Sequence, residues 1–383
     1  MIYVDEQEIL LTPQKNRLNR GTTIRPPASK ATDKASFLPM VHGKSTDALA
    51  GMVGMPIEVD RGNDTGVVKK GTTRLVIHGF DTLKQKRTLG VSTQKLLCTA
   101  VAKFTELNPT GTNTKERRVR FPDVYIPLME YALDCGYDVA ERETATEEEA
   151  KAESLRVKRL VDNARRKVKT DLGLLFSFAM TWEEEAKGKT KDYLDIRLIE
   201  RQGIHNGYIV IGFSQSYCES LIDLPLTQFP RALLAVDERN IHAFRLGYRM
   251  SVHSNMDSNI KKGTAGLLKV KTLLGHTSLP DISTVRKGRK SWEERIKEPF
   301  EKSLEALMAC GVLEDWEYSK RKGDLMTDEE ASFTGYEAWA ESLVHFTLKN
   351  APDHTARLQA RADENKARQT KKKKTRQTNK KKA

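Results

Sequence analysis

The stretch 261–320 limits the possible folds of this chain more than any other part of it. Its pattern predicts a short apolar helix over 267–274, a connection that contains a proline, a second helix, and a strand over 312–318. Ser291 is a suitable N-cap for the second helix, and Glu294 follows at the spacing of a capping box. The apolar residues of this helix recur near the 3.6-residue period and share one face: Trp292, Ile296, Phe300, Leu304, Leu307 and Met308. Such a helix buries one face and leaves the other for charged groups.

The start of the second helix is strongly basic, because four cations precede its N-cap. They are Arg286, Lys287, Arg289 and Lys290. The first turn of a helix presents unpaired N–H groups and the positive end of the helix dipole, and both attract phosphate. A helix that enters the major groove of DNA by this end can also reach base edges. The stretch therefore favours DNA binding. The alternative is a plain helical hairpin with a solvated charged face.

Positive charge is concentrated at the C-terminal end. The chain of 383 residues has a formal net charge of +13, and residues 366–383 carry ten cations and no acid. Without those ten cations the net charge is +3, so the rest of the chain is only mildly basic. Residues 351–383 are therefore predicted to be a disordered basic tail that binds polyanions without sequence preference. A tail that serves solubility alone is the alternative.

Several classes of protein are disfavoured by the composition. The sequence contains no apolar run of roughly 18 residues, the length of a membrane-spanning helix. Its N-terminus does not show the basic-then-apolar pattern of a signal peptide. We therefore expect a cytoplasmic protein without membrane contact. The four cysteines are far apart in the sequence and the eight histidines are isolated, so we expect reduced thiols and neither a metal nor a cofactor.

The first half of the chain combines a poorly patterned segment with alternating strands and helices. Residues 1–70 have few aromatic residues and are rich in Thr, Lys, Gly and Pro, which predicts a flexible N-terminal region. Strands are then expected at 73–80, 119–124, 193–200 and 208–213, and helices at 92–107, 126–135 and 155–182. The last two strands should form a hairpin, because Asn206-Gly207 favours a tight two-residue turn between them.

The second half repeats a similar order of elements. Helices are predicted over 215–222 and 237–255, followed by the stretch 261–320 and by a strand over 341–348 that can pair with the strand at 312–318. The helix at 237–255 is polar on much of its surface. Its polar side chains either contact phosphate or lie buried where the two halves meet, and the sequence leaves both alternatives open.

This repeated order is that of a winged helix, in which a recognition helix enters the DNA groove and a hairpin forms the wing. The predicted fold is therefore α+β and mainly helical, with two tandem winged-helix domains at 71–214 and 215–350. The flexible region 1–70 precedes the first domain, and the disordered basic tail at 351–383 follows the second.

Two winged helices in one chain of this size resemble the replication initiators of iteron-type plasmids. The segments RLVIHGFDTL and VRFPDVYIPLMEYALDCGY are similar to the N-terminal winged helix of that family, and RIKEPFEKSLEALMACGVL to its C-terminal one. Arg295 and Pro299 occupy the places of the arginine and the proline in the family's C-terminal recognition helix, where a proline kinks the helix. The long segment after Gly136 and the basic tail depart from the family pattern.

The resemblance implies a non-enzymatic initiator of plasmid or mobile-element replication that binds repeated origin sites on double-stranded DNA. It also implies repressing dimers, initiating monomers, and transfer of the opened origin to a host initiator and the replicative helicase. The residues expected at base edges are Ser283, Thr284, Arg286, Arg289, Lys290 and Arg295. Those expected at phosphates are Lys269, Lys271, Lys287, Arg165, Arg166 and Lys169, with His205 and Asn206 at the wing turn as weaker candidates.

Three other functions are alternatives to this one. LLGHTSLPDISTV resembles a stretch of the tyrosine recombinases, and His242 and Arg245 mimic a catalytic pair, but Val285 stands where the nucleophilic tyrosine is expected. A rolling-circle nicking enzyme requires a pair of closely spaced histidines, which the sequence lacks. A transcriptional regulator shares the DNA-binding chemistry and would differ by binding a single operator.

Overall fold

The computed structural model describes residues 35–41, 47, 50–70, 73–79, 89–108, 122–184, 192–222, 226–285, 291–321, 324–327 and 329–351. The fold is mixed α and β, with about 49% helix and 25% strand and several small sheets. This agrees with the coarse expectation of a mixed fold that contains more helix than strand. Within the described residues, none of the helices is both long and apolar enough to cross a membrane.

Among the described residues up to 213, the strands form antiparallel sheets that pack against helices. Its elements are β1 (Phe37–Val41), β2 (Glu58–Asp60), β3 (Thr65–Lys70), β4 (Thr73–His78), α1 (Val91–Leu107), β5 (Asp123–Pro127), α2 (Leu128–Asp134), α3 (Glu147–Phe176), β6 (Phe178–Glu184), β7 (Asp192–Arg197), β8 (Ile199–His205) and β9 (Tyr208–Phe213). One sheet has the strand order β5-β9-β8, and the other has the order β2-β3-β4-β6-β7. The strand β1 belongs to neither, and its partner lies in the second half.

The second half forms a further antiparallel sheet. Its elements are α4 (Gln215–Ile222), β10 (Leu226–Pro230), a 3₁₀ helix (Arg231–Ala235), α5 (Ile241–Asn255), α6 (Asp257–Lys262), β11 (Leu267–Lys269), α7 (Val270–Leu274), α8 (Ile282–Val285), a π-helical turn (Glu293–Lys297), α9 (Glu298–Ala309), β12 (Leu313–Arg321), β13 (Asp324–Leu325), α10 (Tyr336–Glu341) and β14 (Leu343–Leu348). The strand order is β11-β14-β12-β13.

The sheets β5-β9-β8 and β11-β14-β12 share one topology. In each, a first short strand leads into helices, and the chain returns with two antiparallel strands, the later of which lies in the middle. The predicted pairing of 312–318 with 341–348 is confirmed as β12 with β14. The predicted pairing of 193–200 with 208–213 is wrong, because most of 193–200 is β7, which pairs with β6. The hairpin that contains the predicted Asn206-Gly207 turn is formed by β8 and β9. Its turn residues Asn206 and Gly207 have φ of 48° and 81°, the left-handed values that a type I′ turn requires.

The prediction that residues 1–70 are flexible is wrong over the part of this segment that the structure describes. Strand β3 pairs with β4 across the expected boundary at residue 70. Strand β1 pairs antiparallel with β10, and Leu38, Met40, Met52 and Val68 are buried. Short strands with few aromatic residues give a weak local pattern, and here the stabilising partner of β1 lies far away in the sequence.

Two predicted helices are partly wrong because each includes a short strand. The long helix begins at Glu147, where Thr146 and Glu149 form a capping box, and it ends at Phe176. The apolar run at 178–182 continues as β6, which pairs with β4. Likewise 267–269 is the edge strand β11, and helix α7 covers only 270–274. Periodicity alone does not separate a short buried strand from a helix segment.

The two halves share one continuous hydrophobic core. Strands β1 and β10 lie between them, and α1 packs against β1 while α5 packs against β10. Lys95 on α1 is fully buried at this junction, and its Nζ donates a hydrogen bond of 2.6 Å to the main-chain oxygen of Val236. Burial lowers the pKa of the Lys95 ammonium. The two halves therefore pack against each other and are not connected by a linker alone.

Candidate nucleic-acid interface

The exposed face of α3 is basic. The helix buries Val157, Val161, Ala164, Val168 and Leu172 against α1, α2 and the sheet. The opposite face exposes five cations within three turns: Lys158, Arg159, Arg165, Arg166 and Lys169. Three of these are the residues of this helix expected at phosphates, and the structure brings them together within one helical turn. Because Asp162 is the single acid between positions 158 and 170, this face attracts anions.

A buried carboxylate fixes α3 relative to α1. Helix α1 has Gly90 as its N-cap and therefore no side-chain cap of its own. Asp171 of α3 contacts the side chains of the first turn of α1. Its Oδ1 accepts hydrogen bonds from Ser92 Oγ at 2.9 Å and from Thr93 Oγ1 at 2.7 Å. A carboxylate at a helix N-terminus is stabilised by the helix dipole, so this contact sets the direction in which the basic face points.

The hairpin β8–β9 is held by a cross-strand ion pair. Arg201 on β8 pairs with Asp123 on β5 over the middle strand β9. A Cβ at Gly212 would lie 2.5 Å from Asp123 Oδ1, so the glycine leaves room for the pair. The turn itself contacts α2, because the amide of Leu128 donates to the carbonyl of Gly207 at 2.8 Å. His205 at the turn is exposed and Asn206 is half-buried.

The corresponding helix of the second half has an acidic exposed side. Ser291 Oγ accepts the amide of Glu294 at 3.2 Å, which confirms the N-cap. Five acids follow along the π-helical turn and α9: Glu293, Glu294, Glu298, Glu301 and Glu305. Lys302 lies 3.3 Å from Glu298, and Lys297 lies 3.9 Å from Glu301. The body of this helix therefore repels phosphate, and Arg295 in the π-helical turn is its exposed cation without an ion pair among the described residues.

The π-helical turn also explains Pro299. Proline lacks the N–H that would bond the carbonyl four residues earlier. Here the amide of Glu298 instead bonds the carbonyl of Glu293, five residues back, which widens the helix just before the proline. The helix then continues without a break to Ala309. The sequence predicts a kink at this position, and the structure has a π-bulge, a recognised feature of functional helices.

The remaining expected contacts fall into two groups. Lys269 and Lys271 are exposed, and their Nζ atoms lie 2.8 and 3.4 Å from Glu341. These hydrogen bonds lower the pKa of the Glu341 carboxyl. Both lysines would have to exchange this carboxylate for a phosphate. Ser283 and Thr284 are exposed on α8, and the basic run that follows them (Arg286, Lys287, Arg289 and Lys290) lies outside the described residues.

Comparison with protein-family models, curated proteins and solved structures gives no match to this chain. Its function therefore has to be argued from its own geometry.

The geometry of Tyr318 bears on the recombinase alternative. Tyr318 was the next tyrosine after the expected nucleophile position, and its side chain is buried. Its hydroxyl donates to Glu301 Oε1 at 2.9 Å and accepts from Trp339 Nε1 at 2.8 Å. Burial raises its pKa well above the usual value. A phenol held in this way is a structural group and a poor nucleophile.

The polar helix α5 contributes mainly buried contacts. Arg245, His253 and Asn255 are all buried, and Asn255 Nδ2 donates to the carbonyls of Ser251 and Gln228. The printed contacts of His253 and Asn255 lie within the second half, whereas Arg245 also contacts the N-terminal segment, at the carbonyl of Val53. Among the described residues, no group of three His, Cys, Asp or Glu side chains is arranged to hold a metal ion.

Sequence reasoning missed two features of these surfaces. The first feature is the acidic exposed side of α9. Its acids recur at helical spacing in the sequence, next to the basic run before Ser291. The second feature is a cavity beside α5, which no local pattern indicates because its walls come from distant segments.

Proposed function

We propose that this protein is a non-enzymatic, sequence-specific binder of double-stranded DNA, built from two winged-helix units. The support is topological. Each half has a helix, a short strand, two or more further helices and two returning strands, with the last strand in the middle of the sheet. That is the order of elements and strands of a winged helix, with β6 and β7 as an insertion in the first unit. In this arrangement α3 and α9 are the recognition helices.

The observation that carries the proposal is the basic exposed face of α3. Arg165, Arg166 and Lys169 occupy one turn of the helix that a winged-helix unit presents to DNA. Phosphate contacts of this kind position a protein on the duplex without reading its sequence. In the second unit, sequence is read from the N-terminal end of the helix, by Arg295 and by the basic run before Ser291.

We further propose that the DNA consists of repeated sites at an origin of replication on a plasmid or other mobile element. This step rests on the resemblance to iteron-type initiators in element order and in the segments around Arg74, Val119 and Arg295. The same resemblance suggests an equilibrium of dimers and monomers, and host initiator and helicase partners. A tandem winged-helix regulator is the second candidate, because its DNA chemistry is identical.

Footprinting with purified full-length protein on the DNA that flanks its own gene separates these functions. Regularly spaced protected repeats, together with replication of a plasmid that carries them, are the expected result for an initiator. A single palindromic footprint would identify a regulator. Strand cleavage with protein covalently attached to the DNA would overturn the non-enzymatic proposal.

A further inference from the structure

A small cavity lies between α5 and the residues Asp47, Ala50 and Gly51. Its volume is about 50 Å³, and its walls include Asp47, Arg245, Tyr248, Arg249 and His276. A single water requires about 10–15 Å³ by this measure. The cavity therefore has room for one tetrahedral oxyanion, and it is too small for a nucleotide base and sugar.

The guanidinium of Arg245 lines this cavity, and no carboxylate of the described residues forms an ion pair with it. The residue is only 5% exposed. Its Nη1 donates to the carbonyl of Val53 at 3.1 Å and to Ser278 Oγ at 2.5 Å, and both acceptors are neutral. Its Nε is buried and makes no hydrogen bond. Burial lowers the pKa of the guanidinium to about 10. A buried cation without a counter-charge is unfavourable and marks a candidate binding site.

Arg249 places a second guanidinium one helical turn further along the same wall. Its Nε is also buried without a hydrogen bond, and within the described part of the chain neither arginine forms an ion pair. Burial lowers the pKa values of the neighbouring His242 and His253, and the charges of Arg245 and Arg249 respectively lower them further. The acid among the lining residues is Asp47, whose Oδ1 accepts the Tyr248 hydroxyl at 3.2 Å. Two cations against one carboxylate leave the cavity positive.

We propose that this cavity binds a phosphate group, with Arg245 and Arg249 as its ligands. Guanidinium groups match the tetrahedral oxyanion through paired N–H donors, and both arginines line this cavity. The phosphate is either a free anion or a backbone phosphate of bound DNA. In both cases it links the segment 47–53 to α5 and thereby stabilises the attachment of the N-terminal segment to the second half.

The test uses the full chain and inorganic phosphate, at constant ionic strength maintained with chloride. Calorimetric titration and thermal unfolding compare the wild type with Arg249→Gln, Arg249→Lys and Arg239→Gln. Arg239 is exposed just before α5 and does not line the cavity, so it is a matched control. For a free anion we expect saturable binding in the wild type and the control, at least tenfold weaker binding in Arg249→Gln, and partial recovery in Arg249→Lys. Unfolding in chloride alone reports whether each variant is folded.

A second arm identifies DNA as the source of the phosphate. If DNA occupies the cavity, Arg249→Gln reduces the salt dependence of DNA affinity by about one unit of log K against log salt, and Arg239→Gln does not. Wild-type levels of both phosphate binding and DNA salt dependence in Arg249→Gln would overturn the proposal. The phosphate arm does not require DNA binding, so failure of the proposed function would not be confused with failure of this site.

Discussion

The helices α3 and α9 hold equivalent positions in the two halves, and they differ in charge although the surrounding strands have the same order. In the first half, α3 exposes Arg165, Arg166 and Lys169 beside one acid. In the second half, the exposed side of α9 carries acids, and its lysines are already paired with them. Topology and surface charge are thus independent properties of these units. A shared strand order places α3 and α9 at equivalent positions, and only their residues indicate what each helix can bind.

The difference predicts a division of roles. The first unit should contact the phosphate backbone along the exposed face of α3. Its contribution to DNA affinity should depend strongly on salt concentration. The second unit should touch DNA only with the N-terminal end of its helix, because acids along the helix body repel phosphate. Base discrimination should therefore be localised near Arg295 and the basic run before Ser291.

The largest expected effect follows from neutralising the basic turn of α3. The triple variant Arg165→Gln, Arg166→Gln, Lys169→Gln removes three phosphate contacts, and we expect roughly a 100-fold loss of affinity on all sequences at about 0.1 M salt. Fluorescence anisotropy over a salt series measures this loss. The matched control replaces Lys103, Lys302 and Lys320, which are all engaged in ion pairs. An equal loss in the control would show that only net charge matters.

The second prediction concerns the contact between Asp171 of α3 and the first turn of α1. Replacing Asp171 with Ala leaves the hydroxyl groups of Ser92 and Thr93 without their acceptor, so the free energy of unfolding should fall by about 1–3 kcal/mol. Chemical denaturation measures this change. Ser220→Ala is a comparable control, because it removes only a local bond to the carbonyl of Tyr217. A stability equal to that of the wild type would mean that the carboxylate does not hold α1 and α3 together.

The third prediction concerns sequence specificity, and its expected effect is similar to that of the Asp171 substitution or smaller. Replacing Arg295 with Gln should cost about 1–3 kcal/mol on the specific site and little on unrelated DNA. Lys302→Gln on the body of α9 should leave both affinities unchanged. Competition binding with specific and scrambled duplexes distinguishes the outcomes. Equal weakening on both duplexes would identify Arg295 as a phosphate contact and remove the distinction between the two halves.

The smallest effect is expected at Glu341. Replacing it with Gln releases Lys269 and Lys271 from their carboxylate, so non-specific DNA binding should strengthen by a few-fold, in line with one additional phosphate contact. Glu337→Gln on the same helix serves as the control. Unchanged affinity in Glu341→Gln would indicate that these two lysines do not face DNA, contrary to the sequence-based expectation.

Local signals predicted the elements that local contacts determine. The helix at 215–222, the Asn206-Gly207 turn and the apolar stripe of α9 all depend on residues close in sequence, and all three are confirmed. Strand β1 was missed because its partner β10 lies in the other half of the chain. Strand β6 was assigned to the preceding helix because its apolar residues give no period that separates strand from helix.

The features of the candidate site also differ in how far they can be predicted from sequence. The basic face of α3 follows from helical spacing alone. The cavity between Arg245 and Asp47 does not, because a segment almost 200 positions away forms one wall. A sequence pattern reports which side chains share a face, whereas it does not report which distant segment covers that face.

Because Lys95 is buried at the junction between the halves, the stability of the protein should depend on pH in the alkaline range. Because its folded-state pKa is below the usual 10.5, the unfolded chain binds the proton more readily than the folded chain between these two values. The free energy of unfolding should therefore rise with pH across that window. Lys95→Met, compared with the wild type, isolates this contribution and should flatten the rise. Above its folded-state pKa Lys95 is neutral, so the contact between α1 and the segment before α5 then contains no buried charge and should be more stable than at lower pH.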